Sequence, residues 1–360
     1  MVVSMRQYAC GAEHGFLKVT LALIRTGGIM VAVRESGAMP EFRTVDAGAV
    51  QIRVAVEGQG PLVLMVHGFP ESWFSWRHQL GPIAAAGFTA AAIDVRGYGG
   101  SDKPGDIAAY DMQSLTADVA GVAKVLQPDA PAILIGHDWG APIVWNSALS
   151  RPLAFRAVAG LSVPFSGVPS RPFSEIFTEA FTAKGHFFYQ AWFQNVGAPE
   201  AEAQADVRGF LRKFYYGICG DAPDGTWPQK KHGATLLEGM VDPRVFPAWM
   251  TPEDLDYYVG EFTASGFFGP ISRYRNHERD FAWLQQFQGR KLEMPTLLIG
   301  GDRDPAFNGF GRIADPGAMM AQHVTDLRGV HILPGCGHWT QQERPEEVNA
   351  LLLPWLASLT

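Results

Sequence analysis

The fold is decided by one stretch of the sequence, Ala132-Ile133-Leu134-Ile135-Gly136-His137-Asp138-Trp139-Gly140. Its first four residues form an apolar run that is typical of a strand buried on both faces of a parallel sheet. Residues 139–149 have helical spacing. Between strand and helix, two glycines flank Asp138 in the pattern G-x-nucleophile-x-G, in which they allow a turn sharp enough to lift the central side chain into a pocket. The alternative, that Asp138 merely caps the helix, is disfavoured by a strand-turn-helix context with both glycines in place.

Strands and helices alternate on both sides of this stretch. Further buried strands are predicted at Leu62–Val66, Thr89–Ile93, 157–161, 295–299 and 329–333, and helices at Met112–Leu126 and 348–359, the last bent or interrupted at Pro354. Parallel strands joined by helical crossovers imply a sheet with helices on both faces. Ligands of such sheets lie beyond the carboxyl ends of the strands, which is where Asp138 falls.

The alternation stops between about residues 165 and 281, in a stretch rich in Phe, Tyr and Trp. It contains a clear helix start, with Thr251 as N-cap, Pro252 at the first helical position and two acids in the first turn. We therefore predict a mostly helical insert. The predicted division is an N-terminal extension at 1–44, an α/β core at 45–164 and 283–360, and a helical cap domain at 165–282.

Composition excludes several classes of protein. The 360 residues carry a net charge of −7, with 47% hydrophobic and 18% charged residues. A sizeable core is expected at this length, and disorder is excluded. The surplus of acid argues against nucleic-acid and anionic-membrane partners. The three cysteines, Cys10, Cys219 and Cys336, lie far apart, which excludes a disulfide framework and a cysteine zinc site and favours a reducing, cytoplasmic location.

The N-terminus contains no long apolar segment. No window reaches the ~18 apolar residues that span a bilayer. The run at residues 17–24 is short, contains Lys18 and lacks a clean cleavage site, so a signal peptide is not favoured. Residues 1–44 are either an N-terminal extension or the product of a start codon placed too early, since Met30 and Met39 are alternative starts. The sequence does not choose between these, nor between a monomer and a homo-oligomer.

A nucleophile needs a base and a group that orients the base. His338 stands in the glycine-flanked loop Gly335-Cys336-Gly337-His338-Trp339, just after the last predicted strand. The alternative, a surface or core histidine, fits the other nine histidines better. The acid is predicted to be Asp304, with Asp302 as its competitor in the same turn, while residues 162–165 offer no carboxylate. The order nucleophile, acid, histidine is that of α/β-hydrolases.

Oxyanion stabilisation is predicted at His67-Gly68-Phe69-Pro70, which follows the first buried strand. The backbone N–H of Phe69, together with that of Trp139, is placed to hold a developing oxyanion, and one such donor is worth roughly 3–4 kcal/mol. The alternative is a tight turn without a catalytic role.

At these residues the chain resembles the soluble, bacterial-type epoxide hydrolases of the α/β-hydrolase superfamily, from about residue 45 to the C-terminus. The segments that carry the resemblance are His67-Gly68-Phe69-Pro70-Glu71-Ser72-Trp73, Asp94-Val95-Arg96-Gly97-Tyr98-Gly99, Gly136-His137-Asp138-Trp139-Gly140 and Gly335-Cys336-Gly337-His338-Trp339-Thr340. The first and third are quite specific, whereas the second is shared across the superfamily. The resemblance implies the α/β-hydrolase fold, a mostly parallel sheet flanked by helices, with a helical lid inserted.

The resemblance also implies two lid tyrosines above the nucleophile. They match Tyr189 in Phe188-Tyr189-Gln190-Ala191-Trp192-Phe193-Gln194 and Tyr274 in Tyr274-Arg275-Asn276. From the residues alone, lid packing explains these tyrosines equally well. Chemical need favours a catalytic role, because opening an epoxide produces an alkoxide that a phenol in a dry pocket can protonate.

The implied reaction converts hydrophobic epoxides to vicinal diols through a covalent ester on Asp138, which water activated by His338 then hydrolyses. The resemblance implies no cofactor and no metal, and the sequence contains no ligand spacing such as HExxH. Detoxification is the expected role.

Three alternatives have distinct requirements. A dehalogenase uses the same Asp-His-Asp logic but needs two side-chain N–H donors for the halide, and Phe69 occupies the position of the second. A serine-type esterase needs a Ser or Cys in the elbow. A non-catalytic binding protein on the same fold has no use for a complete triad with two tyrosines.

Overall fold

The structure is a computed structural model, and it describes residues 21–26, 29–34, 40–224, 226–227, 229–308 and 313–359. Most of the predicted N-terminal extension lies outside these ranges. The question of a signal peptide at residues 17–24 and the choice of start codon therefore fall largely on residues that are not described.

The described residues form a two-stranded and an eight-stranded sheet. The strands are β1 (Leu21–Thr26), β2 (Ile29–Arg34), β3 (Glu41–Asp46), β4 (Gln51–Glu57), β5 (Leu62–Val66), β6 (Thr89–Ile93), β7 (Ala132–His137), β8 (Phe155–Leu161), β9 (Thr296–Gly301) and β10 (Leu327–Leu333). Strands β1 and β2 pair antiparallel with each other. The large sheet has the order β10-β9-β8-β7-β5-β6-β4-β3.

The large sheet is parallel except at one edge. Strands β5 to β10 pair parallel, whereas β4 pairs antiparallel with both β3 and β6. The central strands β5 and β7 are buried along their whole length, as their continuous apolar sequence requires. The mostly parallel α/β sheet is confirmed. Strand β3 begins before the boundary predicted at residue 45, and the division into domains stays a prediction.

Helices cover both faces of the sheet, because each face presents apolar side chains. Two buried clusters lie on opposite faces, one involving helices Met112–Leu126 and Gly140–Ser150, the other involving Arg77–Ala85 and Pro345–Ala357. Shorter helical elements outside the insert are Trp73–Trp76, Ile107–Tyr110, Pro305–Asn308, Pro316–Ala321 and Thr340–Glu343.

Residues 162–295, between β8 and β9, are here called the cap segment. Its helical elements are Phe173–Ala180, Thr182–Lys184, Tyr189–Trp192, Ala198–Ala205, Val207–Gly217, Pro252–Ser265, Phe268–Ser272, Arg273–Arg275, His277–Leu284 and Gln285–Phe287. As the sequence indicates, Thr251 caps one of them, accepting a hydrogen bond from the backbone N–H of Asp254.

The cap segment packs directly on the sheet. Its buried aromatic side chains belong to the same cluster as one face of the sheet. Polar contacts add to this packing, since Tyr258 Oη lies 2.8 Å from Ser75 Oγ and the Tyr215 hydroxyl donates to the Pro70 carbonyl over 2.8 Å. Within the described ranges, no helix has the length and apolar character that crossing a membrane takes.

Candidate active site

Asp138 stands at the tip of the turn between β7 and the helix Gly140–Ser150. Its φ of 49° lies in the left-handed region, where a residue with a side chain is strained. The turn needs glycines close by, at Gly140 in the elbow and at Gly68 in the loop after β5. A Cβ on Gly140 would lie 2.0 Å from the Val66 carbonyl oxygen, and one on Gly68 would lie 2.2 Å from Asp138 Oδ1. The glycines thus let the β5 loop approach the carboxylate closely.

His338 lies between two carboxylates. Its Nε2 is 3.3 Å from Asp138 Oδ2, and its Nδ1 is 2.9 Å from Asp304 Oδ1. Asp304 is fully buried and also accepts the Ala306 N–H over 2.8 Å. Asp302 is exposed and accepts the Gly335 N–H over 2.7 Å instead. The structure therefore places Asp304, and not Asp302, against the imidazole.

The charge on His338 follows from this arrangement. Burial by itself lowers the pKa of His338, but the carboxylates of Asp304 and Asp138 outweigh burial and raise the pKa well above its ordinary value. The imidazole is thus held as an imidazolium while Asp138 is ionised. An ester on Asp138 would remove one of the two negative charges and so lower the pKa of His338.

A backbone donor faces the other carboxylate oxygen of Asp138. The Phe69 N–H donates to Asp138 Oδ1 over 2.7 Å. Trp139 directly precedes the helix Gly140–Ser150, where the first N–H groups have no carbonyl partner within the helix. The Phe69 N–H thus contacts Asp138 from the loop after β5, and the Trp139 N–H is the next backbone donor in the elbow itself.

A buried polar network below the triad was not predicted from the sequence. Glu71 Oε2 accepts the Gly68 N–H over 2.9 Å and lies 2.7 Å from His137 Nδ1. The other ring nitrogen of His137 is 2.7 Å from the carbonyl oxygen of His338. Burial raises the pKa of Glu71, but His137 and the Gly68 N–H outweigh burial and lower the pKa to about 2. The network joins the β5 loop, the elbow and the histidine loop.

The two predicted lid tyrosines come together in the cap segment. Tyr189 begins the helix Tyr189–Trp192 and Tyr274 lies in Arg273–Arg275, with ring centroids 5.7 Å apart at 76°. Tyr274 is buried, with its ring 5.5 Å from that of Phe69 and 5.3 Å from that of Trp139, whereas Tyr189 is half-buried.

Both phenols keep their protons at neutral pH. Burial first, and then the negative charge of Asp138, raise the pKa of Tyr189 above its usual value. Burial, the neighbouring Tyr189 and Asp138 raise the pKa of Tyr274 in the same way. Two neutral phenols can therefore donate protons to an oxygen atom in the site.

Side chains tie the two tyrosine segments together. Gln194 Nε2 donates to the backbone carbonyls of Gln190, over 2.8 Å, and of Tyr274, over 2.9 Å. Arg275 Nε donates to the Phe193 carbonyl over 2.7 Å. These residues stand inside the two tyrosine motifs, so the signal was present, but their partners depend on the tertiary fold.

One of the two halide donors that a dehalogenase needs is missing at the position after His67-Gly68. The Phe69 ring packs edge-on against Phe193, Phe214 and Tyr274 and carries no N–H. Trp139 is left as one side-chain donor next to the nucleophile.

In the part of the chain that the structure describes, no group of three or more His, Cys, Asp or Glu side chains is arranged to hold a metal ion.

Known proteins resemble this chain over most of its length. The model of the alpha/beta hydrolase fold family matches residues 61–345. Epoxide hydrolase B of Mycobacterium tuberculosis is 38% identical over 335 residues, which cover 84% of this chain and 92% of that protein. Bifunctional epoxide hydrolase 2 of Sus scrofa is 34% identical over 94% of this chain and 59% of its own length.

Solved structures that resemble this chain are also epoxide hydrolases. An epoxide hydrolase from an endophytic Streptomyces has a TM-score of 0.83 and 44% identity, over 90% of this chain and 97% of that chain. Epoxide hydrolase A from Mycobacterium thermoresistibile has a TM-score of 0.83 and 37% identity, over 88% and 98% of the two chains. With this site geometry on this fold, the chain belongs to the epoxide hydrolases of the α/β-hydrolase superfamily, enzymes that convert epoxides to vicinal diols through an aspartyl ester.

Proposed function

We propose that Asp138 is the nucleophile, His338 the base and Asp304 the group that orients the base. Tyr189 and Tyr274 donate protons to the epoxide oxygen, and the backbone N–H groups of Phe69 and Trp139 stabilise the oxyanion. The observation that carries this proposal is the position of His338, 3.3 Å from Asp138 Oδ2 and 2.9 Å from Asp304 Oδ1.

The first step is alkylation of Asp138. Oδ1 is held by the Phe69 N–H over 2.7 Å, so Oδ2 attacks an epoxide carbon. The carbon–oxygen bond opens, and its electron pair passes to the ring oxygen. Tyr189 or Tyr274 supplies the proton, and the product is a hydroxyalkyl ester of Asp138.

The second step is hydrolysis of this ester. Once Asp138 is esterified, the resting proton of the His338 imidazolium passes through water to the tyrosine phenolate. The neutral His338 then removes one proton from a water molecule that attacks the Asp138 carbonyl carbon. The oxyanion forms on Oδ1, against the Phe69 and Trp139 N–H groups. When it collapses, the alkoxide leaves with the proton from His338. The proton left on the Asp138 carboxyl group then passes to His338, which restores the imidazolium beside the ionised Asp138, so one water is consumed per diol.

Hydrophobic epoxides are the proposed substrates. The surroundings of the two phenols support this, since they are largely aromatic: Phe69, Trp139, Phe188, Phe193 and Phe214. We further propose that residues 165–282 act as a cap domain over a core at 45–164 and 283–360, with 1–44 as an extension. The described cysteines are free and buried, which supports a reducing cytoplasmic location. The proposed role of the enzyme is detoxification of epoxides.

Oxygen labelling tests the covalent mechanism. In a single turnover with excess enzyme in H₂¹⁸O, the diol should carry no label, because its new oxygen comes from Asp138 Oδ2. After many turnovers, peptide mass spectrometry should find the label in the Asp138 carboxylate. A labelled diol on the first turnover would mean direct attack by water and would refute the role given to Asp138.

A further inference from the structure

An amide group lies directly against one of the two proton donors. Gln190 follows Tyr189 in the short helix Tyr189–Trp192, and only 7% of Gln190 is exposed. Its Nε2 donates a hydrogen bond to the Tyr189 phenol oxygen over 2.8 Å. The proposed two-step mechanism assigns no role to this buried contact.

The direction of this hydrogen bond matters for catalysis. A phenol oxygen that accepts an amide N–H cannot point its own O–H at that same N–H, so the Tyr189 proton is directed elsewhere. The Tyr274 ring lies on one such side, 5.7 Å away, and in the proposed mechanism the epoxide oxygen binds between the two phenols. An amide turned by 180° would present Oε1 and would take the phenol proton for itself. The orientation of one amide therefore decides whether Tyr189 can act as an acid.

We propose that Gln190 is a positioning residue that keeps Tyr189 in its proton-donating state and stabilises the phenolate that remains after the proton has left. The inference rests on the proposed roles of Asp138 and Tyr189. As Asp138 Oδ2 bonds to the epoxide carbon and the carbon–oxygen bond breaks, the Tyr189 proton passes to the departing oxygen. The Gln190 N–H then faces a phenolate, and a hydrogen bond to an ionised acceptor is stronger than one to a neutral phenol.

The electrostatics of the site support this direction. Burial and the charge of Asp138 raise the pKa of Tyr189, which makes the phenol a weaker acid. The hydrogen bond from Gln190 acts in the opposite sense and lowers that pKa. Gln190 thus restores part of the acidity that Tyr189 loses through burial in a dry pocket.

The test compares two epoxides of nearly equal size. Epoxypropane opens to a strongly basic alkoxide that needs a proton, whereas 3,3,3-trifluoro-1,2-epoxypropane opens to a weakly basic one. Rapid-quench single turnovers with Gln190→Leu should show alkylation of Asp138 slowed by about 10-fold or more for epoxypropane. The slowing should be several-fold smaller for the trifluoro compound, and hydrolysis of the ester should keep its normal rate.

Gln190→Glu tests the direction of the hydrogen bond with almost no change of shape. An ionised carboxylate accepts the phenol proton, so alkylation should be slower than in Gln190→Leu. It should recover as the pH is lowered, because a protonated carboxyl group can again donate to the phenol oxygen. Alkylation by Gln190→Glu as fast as by the unchanged enzyme would overturn the proposal.

Gln194→Leu is the matched control. It removes an amide from the same segment, but one that contacts backbone carbonyls rather than the phenol. Because this change affects only the geometry of the segment, it should slow the alkylation of Asp138 by the same factor with both epoxides. Equal slowing in Gln190→Leu would overturn the inference for Gln190 while leaving the labelling result, and hence the proposed function, intact. Absence of any Asp138 ester in the unchanged enzyme would instead defeat the proposed function.

Discussion

The site has a floor and a roof that are built in different ways. The floor lies at the carboxyl ends of the sheet strands and on the loops that follow them, and consists of Glu71, His137, Asp138, Asp304 and His338. The roof consists of Tyr189 and Tyr274, in the cap segment. In the floor, the reacting side chains are fixed by hydrogen bonds of 2.7–3.3 Å to charged or backbone groups. In the roof, the rings are fixed mainly by aromatic edges, with centroids 4.9–5.7 Å apart.

The difference reflects what each part does. The floor handles full charges in a buried environment, where an unpaired charge is costly, so each charge needs specified partners. The roof handles neutral phenols, which burial does not penalise in the same way. Aromatic packing keeps the phenols dry and also suits a hydrophobic substrate. Breaking the floor should therefore stop the reaction at a charged step, whereas breaking the roof should slow the opening of the ring.

The largest effect is expected from His338→Gln in the floor. Alkylation needs only Asp138 and the tyrosines, so the ester should form and then persist. Steady-state turnover should fall by about 10⁴-fold or more, as for the loss of a triad member. Intact-protein mass spectrometry should find the mass of the protein plus one substrate.

His331→Gln, in the edge strand β10, is the control for this variant and should turn over normally. A folded His338→Gln protein that forms no adduct would show that His338 acts before the ester exists, contrary to the assignment.

The next effect is expected in the roof. Tyr189→Phe and Tyr274→Phe each remove one hydroxyl and keep the ring. General-acid help is worth about 10²–10⁴-fold, and two donors on one oxygen partly replace each other, so each single change should cost less than that. The double variant should nearly lose alkylation, while an ester already formed should be hydrolysed at close to the normal rate. Near-normal alkylation by the double variant would remove the roof from the mechanism.

A smaller effect, measured as stability, is expected from Glu71→Gln. The Glu71 carboxylate accepts hydrogen bonds inside the protein, and a hydrogen bond to a charged group is worth about 1.5–3 kcal/mol, so loss of the charge should cost about that much. The pKa of Glu71 is lowered from 4.5 to about 2 in the folded protein, so its ionised form stabilises the fold above pH 4.5 and this contribution is lost as the pH falls towards 2.

Chemical unfolding at several pH values measures this effect. The gap in unfolding free energy between the unchanged protein and Glu71→Gln should narrow as the pH falls from 4.5 towards 2. The Tyr189→Phe/Tyr274→Phe protein should show no such narrowing. A gap that is constant with pH would mean that the charge of Glu71 is not what stabilises the floor.

The sequence predicted those parts of the site that depend on local pattern. The elbow at Asp138 follows from two glycines around an acid between strand and helix. Asp304 and His338 follow from their places after strands. Glu71 and His137 were missed, although both stand inside recognised motifs, because their contacts join residues 66 and 201 positions apart. No periodicity encodes such pairs.

In the fold, too, the elements with a local sequence pattern were predicted and the others were missed. The buried strands β5, β6 and β7 were predicted from continuous apolar runs. The hairpin of β3 and β4 was missed, since β3 is largely exposed and carries no apolar run. The direction of the Gln190 amide was also out of reach, because it depends on where the Tyr189 hydroxyl lies once the cap segment has packed.

The smallest effect is expected from Asp302→Asn, and it sharpens the assignment of the acid in the floor. Asp302 is exposed and accepts the Gly335 N–H over 2.7 Å, a hydrogen bond that the carbonyl oxygen of Asn can also accept, so this change should alter turnover less than about 2-fold. Asp304→Asn should slow ester hydrolysis strongly. The charge of Asp304 raises the pKa of His338. Removing this charge should therefore move the acidic limb of the pH–rate profile for ester hydrolysis to lower pH. Single-turnover rates of ester breakdown between pH 5 and 9 would measure both variants. An unmoved limb in Asp304→Asn together with a shifted limb in Asp302→Asn would transfer the role of the acid to Asp302.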